Sequence, residues 1–482
     1  MTQPRLAMIG LDAAELEVIQ AALPRLPRLR RLLEAAPAAR LESTAGLLPG
    51  SVWPTFFTGE PPGVHGIHHH LQWDADRMGL RRVAADWLDA NAFWSALDAA
   101  GHDVCVVDVP MTVRNGVTRG IEIANWGSHD ELRAFGAAPA RVGRELRRRF
   151  GRHPMGPEIP VRKTPAELAR IRRNLVEGAR RKGELARWLY GLREWDLFLC
   201  VFGETHRGGH ILWPERPDDD ALDDVYRAVD AAVGTLLDAL APETVVVLFA
   251  LHGMGPNTSQ EHFVPAVMDR VNARLRSASA ERPVPPPRPG LVRLLRERVP
   301  AGLQNTVARA VPVAVRDWVV DRQIRSGHDW SATPGFASLA DLNGYLRFNL
   351  RGRERKGALE PDGPEHRATR SAWERGFESL RHGETGEPLV DALIFEHPAL
   401  RGPRRARLPD AIVTWRAAPP AERVDSAWLG SLDGQRATGR GGNHRAPGFV
   451  SIVDPAGRLP ALPPPRHIAD FAGWVRSALG VG

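Results

Sequence analysis

The chain has 482 residues, of which 43% are hydrophobic and 25% charged, a composition that excludes wholesale disorder. It has no run of about 18 uninterrupted apolar residues, which excludes a membrane-spanning helix, and its two cysteines, Cys105 and Cys200, are too few for a disulfide framework or a cysteine-built zinc site. Lys plus Arg number 64 against 57 Asp plus Glu, a net charge of +7, but the excess is arginine interleaved with acids rather than a basic stripe, so nucleic acid is not expected as the main partner.

The N-terminal stretch lacks a basic start and a cleavage site and reads as a first strand, Leu6–Leu11 (LAMIGL). With so few cysteines, the reduced cytoplasm is the expected compartment. Three further apolar runs read as buried parallel strands: Val104–Val109 (VCVVDV), Leu197–Gly203 (LFLCVFG) and Val245–Leu251 (VVVLFAL). A helical pattern precedes each of the three. These are roughly Ala92 to Ala100, stopped by Gly101, a long arginine-rich stretch from Pro165 to Leu192, and Ala221 to Leu240 with Leu222, Val225, Val229, Val233 and Leu236 on one stripe. Such alternation predicts an α/β fold, a mostly parallel central sheet with helices on both faces. The pattern weakens between 256 and 340, where the proline cluster Pro283–Pro289 falls. This segment is expected to be an inserted cap or lid, leaving 1–255 and 341–482 as the core. Strand patterns return at Gly344–Asn349, Ala411–Trp415 and Phe449–Val453, and a closing helix follows the prolines of Leu462–Pro465.

In an open parallel sheet, ligands gather at the carboxyl ends of the strands, where loops converge and helix N-termini point. Asp12 follows the first strand; Glu204, His206 and His210 follow the third; His252 follows the fourth. Each taken singly has an ordinary reading, Asp12 as a helix cap and the histidines as core or turn residues. Their conjunction at one sheet edge points to a metal. His206 and His210, four apart, share a helix face as two ligands of one ion must. Ser51, in PGSVWPTFFTGEPPGVH, stands where a helix begins. It is either a plain N-cap or a hydroxyl held among free N–H groups, where a phosphoryl oxygen fits. Asp108, at the end of the second strand, and Trp126 with His129 are within reach of the same edge.

The blocks GLDAAE, PGSVWPTFFTGEPPGVHG, WDLFLCVFGETHRGGHILW, LHGMGPN and GRGGNHRAPGF occur in the order that resembles the alkaline phosphatase superfamily. The type I phosphodiesterase/nucleotide pyrophosphatase-like branch is the most similar. The resemblance implies a metal-dependent phosphohydrolase that cleaves a phosphodiester or phosphomonoester through a covalent phospho-Ser intermediate. The substrate would be a small anionic phosphoester, and neither membrane nor nucleic acid would be the partner; a homo-oligomer is compatible. By position, His210 and His444 would hold a first ion, and Asp12, His252 and the nucleophile a second. His65 would be the family histidine of the loop that continues into His68, His69 and His70. Alternatives are a catalytically impaired relative that binds a phosphorylated ligand, and a phosphomutase.

Three departures from the family pattern matter. His206 replaces the Asp of the D-x-x-x-H element; Leu251 replaces the Asp before His252; and counting back from Thr58-Gly59 puts the usual nucleophile at Pro49. Ser51 is therefore the first candidate, with Thr55 and Thr44 behind it. Of three carboxylates that would offset two dications, only Asp12 remains. Charges about 4 Å apart interact by roughly 4 kcal/mol per unit-charge product at a dielectric near 20, so uncompensated dications are costly. Neutral imidazoles favour Zn²⁺, with Mn, Fe or Ni as other choices, over Mg²⁺ or Ca²⁺. One firmly held ion on His206, His210 and His444 is expected, with the second weaker or absent. Glu204, two residues before His206, is the candidate replacement carboxylate. For phosphate itself, Arg207 and Arg445 are candidates by adjacency alone.

Overall fold

The four apolar runs form the middle of one sheet. β1 (Leu6–Leu11), β5 (Val104–Val107), β6 (Ile121–Ala124), β8 (Leu197–Phe202) and β9 (Val245–Ala250) lie in the order β9-β1-β8-β5-β6, every pair parallel. Antiparallel strands complete both sides. β19 (Gly448–Val453) joins β9, β2 (Ala39–Leu41) joins β19, and β7 (Gly136–Ala138) joins β6. This computed structural model describes the chain except residues 1–2, 85–86, 88–90, 113–116, 129–131, 133–134, 157, 159–162, 215–219, 280–310, 326–327, 435–438 and 482.

Near-continuous apolar strands require both faces to be covered, and they are. Ile9, Leu11, Phe198, Cys200 and Phe202 enter a core closed by the helices Pro27–Ala35, Pro165–Tyr190 and Ala221–Leu237. Their neighbours Leu6, Met8, Leu197, Leu199 and Val201 enter the opposite core, closed by Val52–Thr58, Phe93–Ala99 and Asp470–Ala478. The period-two alternation of a strand makes this division, and each large apolar side chain so buried contributes about 1.5–3 kcal/mol. The long helix starts where the sequence signals it, with Pro165 in its first turn and a capping box between Thr164 and Glu167. Among the described residues no helix is long and apolar enough to cross a membrane.

A second layer is antiparallel. β11 (Gly335–Ser338), β12 (Gly344–Phe348), β15 (Ala411–Trp415) and β14 (Val390–Ile394) form a sheet in the order β11-β12-β15-β14. The helices Val264–Ser279 and Pro364–Glu378 pack on it through Val267, Trp373 and Phe377, with the rings of Phe348 and Trp373 stacked at 4.0 Å. The runs expected at Gly344–Asn349 and Ala411–Trp415 are thus strands, but they pair with each other here and not in the central sheet. Smaller pieces are the hairpin of β3 (Leu71–Asp74) with β4 (Gly79–Arg82), the set β13 (Leu380–His382), β16 (Arg423–Ser426) and β17 (Leu432–Asp433), and an antiparallel ribbon of β10 (Gly253–Pro256) with β18 (Gly442–Arg445). The proline cluster Pro283–Pro289 lies outside the described residues. We keep the division at 256 and 340 as a proposal for how the chain is organised.

Candidate metal centre

Asp12 directly follows β1, and the helix Glu204–Leu212, one residue beyond β8, carries His206 and His210. His252 stands between β9 and β10. The ribbon supplies the last member: its register sets His444 of β18 opposite Met254 of β10, two residues after His252. Glycine permits this approach, because a Cβ on Gly442 would stand 2.2 Å from the carbonyl oxygen of Gly209.

Four imidazoles result, all buried, with ring centres 4.6 Å apart for His206 and His210, 4.7 Å for His210 and His444, and 4.8 Å for His252 and His444. Among the described residues, one triplet of His, Cys, Asp or Glu converges enough to hold an ion: His206, His210 and His444, whose donor atoms lie within 4.8 Å of one another. A modest inward turn of the rings brings these to the ~2 Å ligand distances of a nitrogen-bound divalent ion.

The far sides of the His210, His444 and His252 rings are anchored, as a metal-binding histidine requires. His210 Nδ1 faces the Gly442 carbonyl at 3.0 Å, so it carries the proton and leaves the Nε2 lone pair free; that atom is buried and has no hydrogen-bond partner among the described residues. His444 Nε2 faces the Asp341 carboxylate at 3.2 Å, and its Nδ1 is likewise buried without a partner. His252 Nδ1 faces the Gly253 carbonyl at 3.1 Å. Asp12 lies at the rim of the cluster. Its Oδ2 is 3.3 Å from His206 Nδ1, its Oδ1 is 3.8 Å from His252 Nε2, and Oδ1 also accepts from Trp53 Nε1 at 3.0 Å.

Burial pushes His252 down to about 3 and His210 well below the usual imidazole range, helped in both cases by neighbouring histidines. His210 and His252 are therefore neutral at ordinary pH, as ligation demands. Burial opposes ionisation of Asp341, but the Arg440 guanidinium and His444 hold it well below the usual carboxylate range. Arg440 also hydrogen-bonds its other oxygen. Asp341 was not apparent from the sequence. It lies 103 positions before His444 in the loop between β11 and β12, with no motif around it.

Other expected site residues are placed elsewhere. Glu204 does not replace the missing carboxylate: its side chain meets His153 Nε2 at 2.9 Å, within a buried network with Lys182 and Asp108. Asp108, which has a positive φ of 54°, accepts from the backbone N–H groups of Trp126 and Gly127 at 2.7 and 2.8 Å and from Lys182. It braces that network rather than a ligand pocket. His65 bridges two helices, its Nδ1 accepting from Ile67 N at 3.0 Å and its Nε2 donating to Thr55 Oγ1 at 3.1 Å, so both ring nitrogens of His65 are engaged in holding those helices together. Trp126 donates through Nε1 to the Gly151 carbonyl, and His129 lies outside the described residues.

Ser51 ends a short 3₁₀ turn, Pro49–Ser51, and makes no side-chain cap to the helix Val52–Thr58. Its hydroxyl donates to the Leu48 carbonyl at 2.7 Å and therefore accepts from Thr44 Oγ1, also at 2.7 Å. Leu251 is buried in the apolar core, so no ligand takes the place of the family Asp there. Arg445 spends its guanidinium on the carbonyls of His444 and Pro256.

Residues 6–314 match the Type I phosphodiesterase / nucleotide pyrophosphatase family. The chain belongs to that family. Through it the protein is a member of the alkaline phosphatase superfamily, whose members use divalent metal ions. Phosphonoacetate hydrolase from Sinorhizobium meliloti 1021, solved with phosphonoformate and with phosphonoacetate, is similar in fold: TM-score 0.51 and 17% identity over 99% of this chain and 96% of that one. Human ectonucleotide pyrophosphatase / phosphodiesterase 5 has a TM-score of 0.49 and 11% identity, over 100% of this chain and 96% of that one. No curated protein matches.

Proposed function

We propose that this family member is a metal-dependent hydrolase of a phosphodiester or phosphomonoester, with a phosphoryl group passing transiently to Ser51. The observation that carries the reading is the meeting of buried imidazoles from separate parts of the chain, with His210 Nε2 and His444 Nδ1 left without hydrogen-bond partners among the described residues. His206, His210 and His444 would hold one divalent ion, zinc first among the choices, with Asp12 and His252 beside it as a weaker second position. A divalent ion bound there supplies Lewis-acid stabilisation of the charge that builds on the phosphoryl oxygens.

The chain's own residues have three tasks. Gly442 and Asp341 fix the orientation of His210 and His444. Asp12, oriented by Trp53, offsets part of the cationic charge. Ser51 must turn its O–H away from the Leu48 carbonyl; its Oγ then bonds to phosphorus as the bond to the leaving oxygen breaks, and the proton ends on that leaving group. Water later cleaves the Ser51–phosphorus bond and restores the hydroxyl.

Hydrolysis of bis-p-nitrophenyl phosphate and p-nitrophenyl phosphate with Zn²⁺, Mn²⁺, Fe²⁺ and Ni²⁺ tests the reading. Ser51→Ala is expected to lower kcat by about a thousandfold, about 4 kcal/mol in the barrier, with metal content intact. Substantial residual turnover would move the role to Thr44, whose hydroxyl is 2.7 Å away. A second reading, binding of a phosphorylated ligand without turnover, is favoured by Leu251 and by the engaged Ser51 hydroxyl. Inactivity with all four metals in a folded protein that still binds phosphate would establish it instead.

A further inference from the structure

The helix that carries His206 and His210 presents one more side chain, which the metal reading leaves unused. Arg207 is 2% exposed, yet its guanidinium makes one hydrogen bond, from Nη2 to the Ser128 carbonyl at 3.0 Å. Its Nε and Nη1 are buried with no acceptor among the described residues. The other deeply buried cations are neutralised: Lys182 pairs with Asp108, and Arg347 with Glu354 at 2.7 Å. A guanidinium taken from water without a counter-charge is strongly unfavourable, so its persistence in this place calls for an anion. Ser128 repeats the signal: it is 6% exposed and its Oγ also has no hydrogen-bond partner among the described residues.

We propose that Arg207 and Ser128 form an oxyanion subsite beside the histidine cluster, which holds a second anionic group of the substrate, a carboxylate or a phosphoryl. One residue beyond His206, Arg207 leaves the helix about 100° around from it. Its bond to Ser128 shows that it turns toward the loop after β6, along the same carboxyl edge of the sheet as the imidazoles. Two free guanidinium nitrogens and a hydroxyl are the donors that bind carboxylate and phosphoryl oxygens through charge-assisted hydrogen bonds. Assigning that anion to the substrate rests on the hydrolase reading; the binding of an anion at Arg207 does not.

The test is built so that the two can fail separately. Full-length His210→Ala protein, with the metal cluster broken, is titrated calorimetrically with inorganic phosphate and, in a second arm, with acetate. Both titrations are repeated after adding Arg207→Gln or Arg207→Lys. Arg207→Gln is expected to weaken binding of at least one of the two anions by about tenfold or more, and Arg207→Lys, which keeps the charge but not the planar donor set, by a smaller factor. A response to phosphate alone assigns a phosphoryl group; a response in the acetate arm assigns a carboxylate. Affinities within twofold of the parent in both arms would overturn the subsite and leave Arg207 a structural strut. If the Gln variant does not fold, unchanged affinity in the Lys variant overturns it equally. None of these outcomes depends on turnover, so an inactive protein with an Arg207-dependent anion site would sink the hydrolase reading and leave the subsite standing.

Discussion

The helix Glu204–Leu212 serves two polar clusters. At its first residue, Glu204 joins Lys182, Asp108 and His153 in a network where each charge meets an opposite charge or a hydrogen-bond donor. On the same helix, His206 and His210 join His444 and His252 in a cluster where Asp12 and Asp341 stand beside the rings and the lone-pair nitrogens of His210 and His444 have no hydrogen-bond partner among the described residues. Both are buried, and both hold residues expected from the sequence to serve the site. Depth therefore does not separate the structural from the functional group. The degree of satisfaction differs: among the described residues the Glu204 network leaves one carboxylate oxygen, Oε2, without a hydrogen-bond partner, whereas the histidine cluster leaves lone-pair nitrogens of His210 and His444 open, and open lone pairs keep their capacity for a ligand.

Breaking each cluster in turn should separate the two roles. The largest effect is expected from His210→Ala, which removes a ligand. Bound metal should fall to background by elemental analysis, and turnover should drop by about a thousandfold or more, at least about 4 kcal/mol, with little change in the denaturant midpoint of the metal-free protein. Lys182→Met should do the reverse. Asp108 and Glu204 lose their buried counter-charge, so stability should fall by about 3–5 kcal/mol, while the protein that remains folded retains its metal. Loss of metal in Lys182→Met with stability unchanged would show that the two clusters are one.

Asp341→Asn sharpens the same contrast at a smaller scale. Asn keeps the shape and an oxygen facing His444 Nε2 but loses the charge, so metal affinity should weaken by about 10- to 100-fold. Competition with a chelator of known affinity reads this directly. An affinity within twofold of wild type would mean that Asp341 serves only to hold Arg440.

Much of this architecture was legible. The four buried strands stand within a residue or two of where their apolar runs end, because strands buried on both faces need continuous apolar sequence. The convergence of histidines was legible in the same way, since Asp12, His206, His210 and His252 sit at strand ends, and the resemblance added His444. What could not be read was which way a short polar side chain turns. Glu204 and His206 are two apart; in an extended segment they would share a face, but the chain turns helical at Glu204, and the two point about 200° apart. Asp341 was hidden because only tertiary contact relates it to His444. The partners of Gly344–Phe348 and Ala411–Trp415 were hidden because an apolar run does not specify the strand it pairs with.

His65 offers the mildest test, since it is an imidazole as deeply buried as the cluster but with both nitrogens engaged. Burial pushes it down to about 3, against about 6.5 in the unfolded chain. Between those values the unfolded chain binds the proton that the folded chain refuses. The neutral ring's contribution is thus complete above pH 6.5 and is lost as pH falls toward 3. At pH 5.5 the loss from this one group is about 1.4 kcal/mol. Protonation would also set an N–H against the Ile67 N–H that now donates to Nδ1, which is why the ring resists it. His65→Gln, which does not titrate, should give a shallower decline of the urea midpoint between pH 6.5 and 5 than wild type, by up to one proton's worth of slope. Equal slopes would mean that the ring already takes its proton in the folded state, and that burial alone does not keep an imidazole neutral in this fold. The neutrality of His210 and His252 would then have to come from the cluster itself.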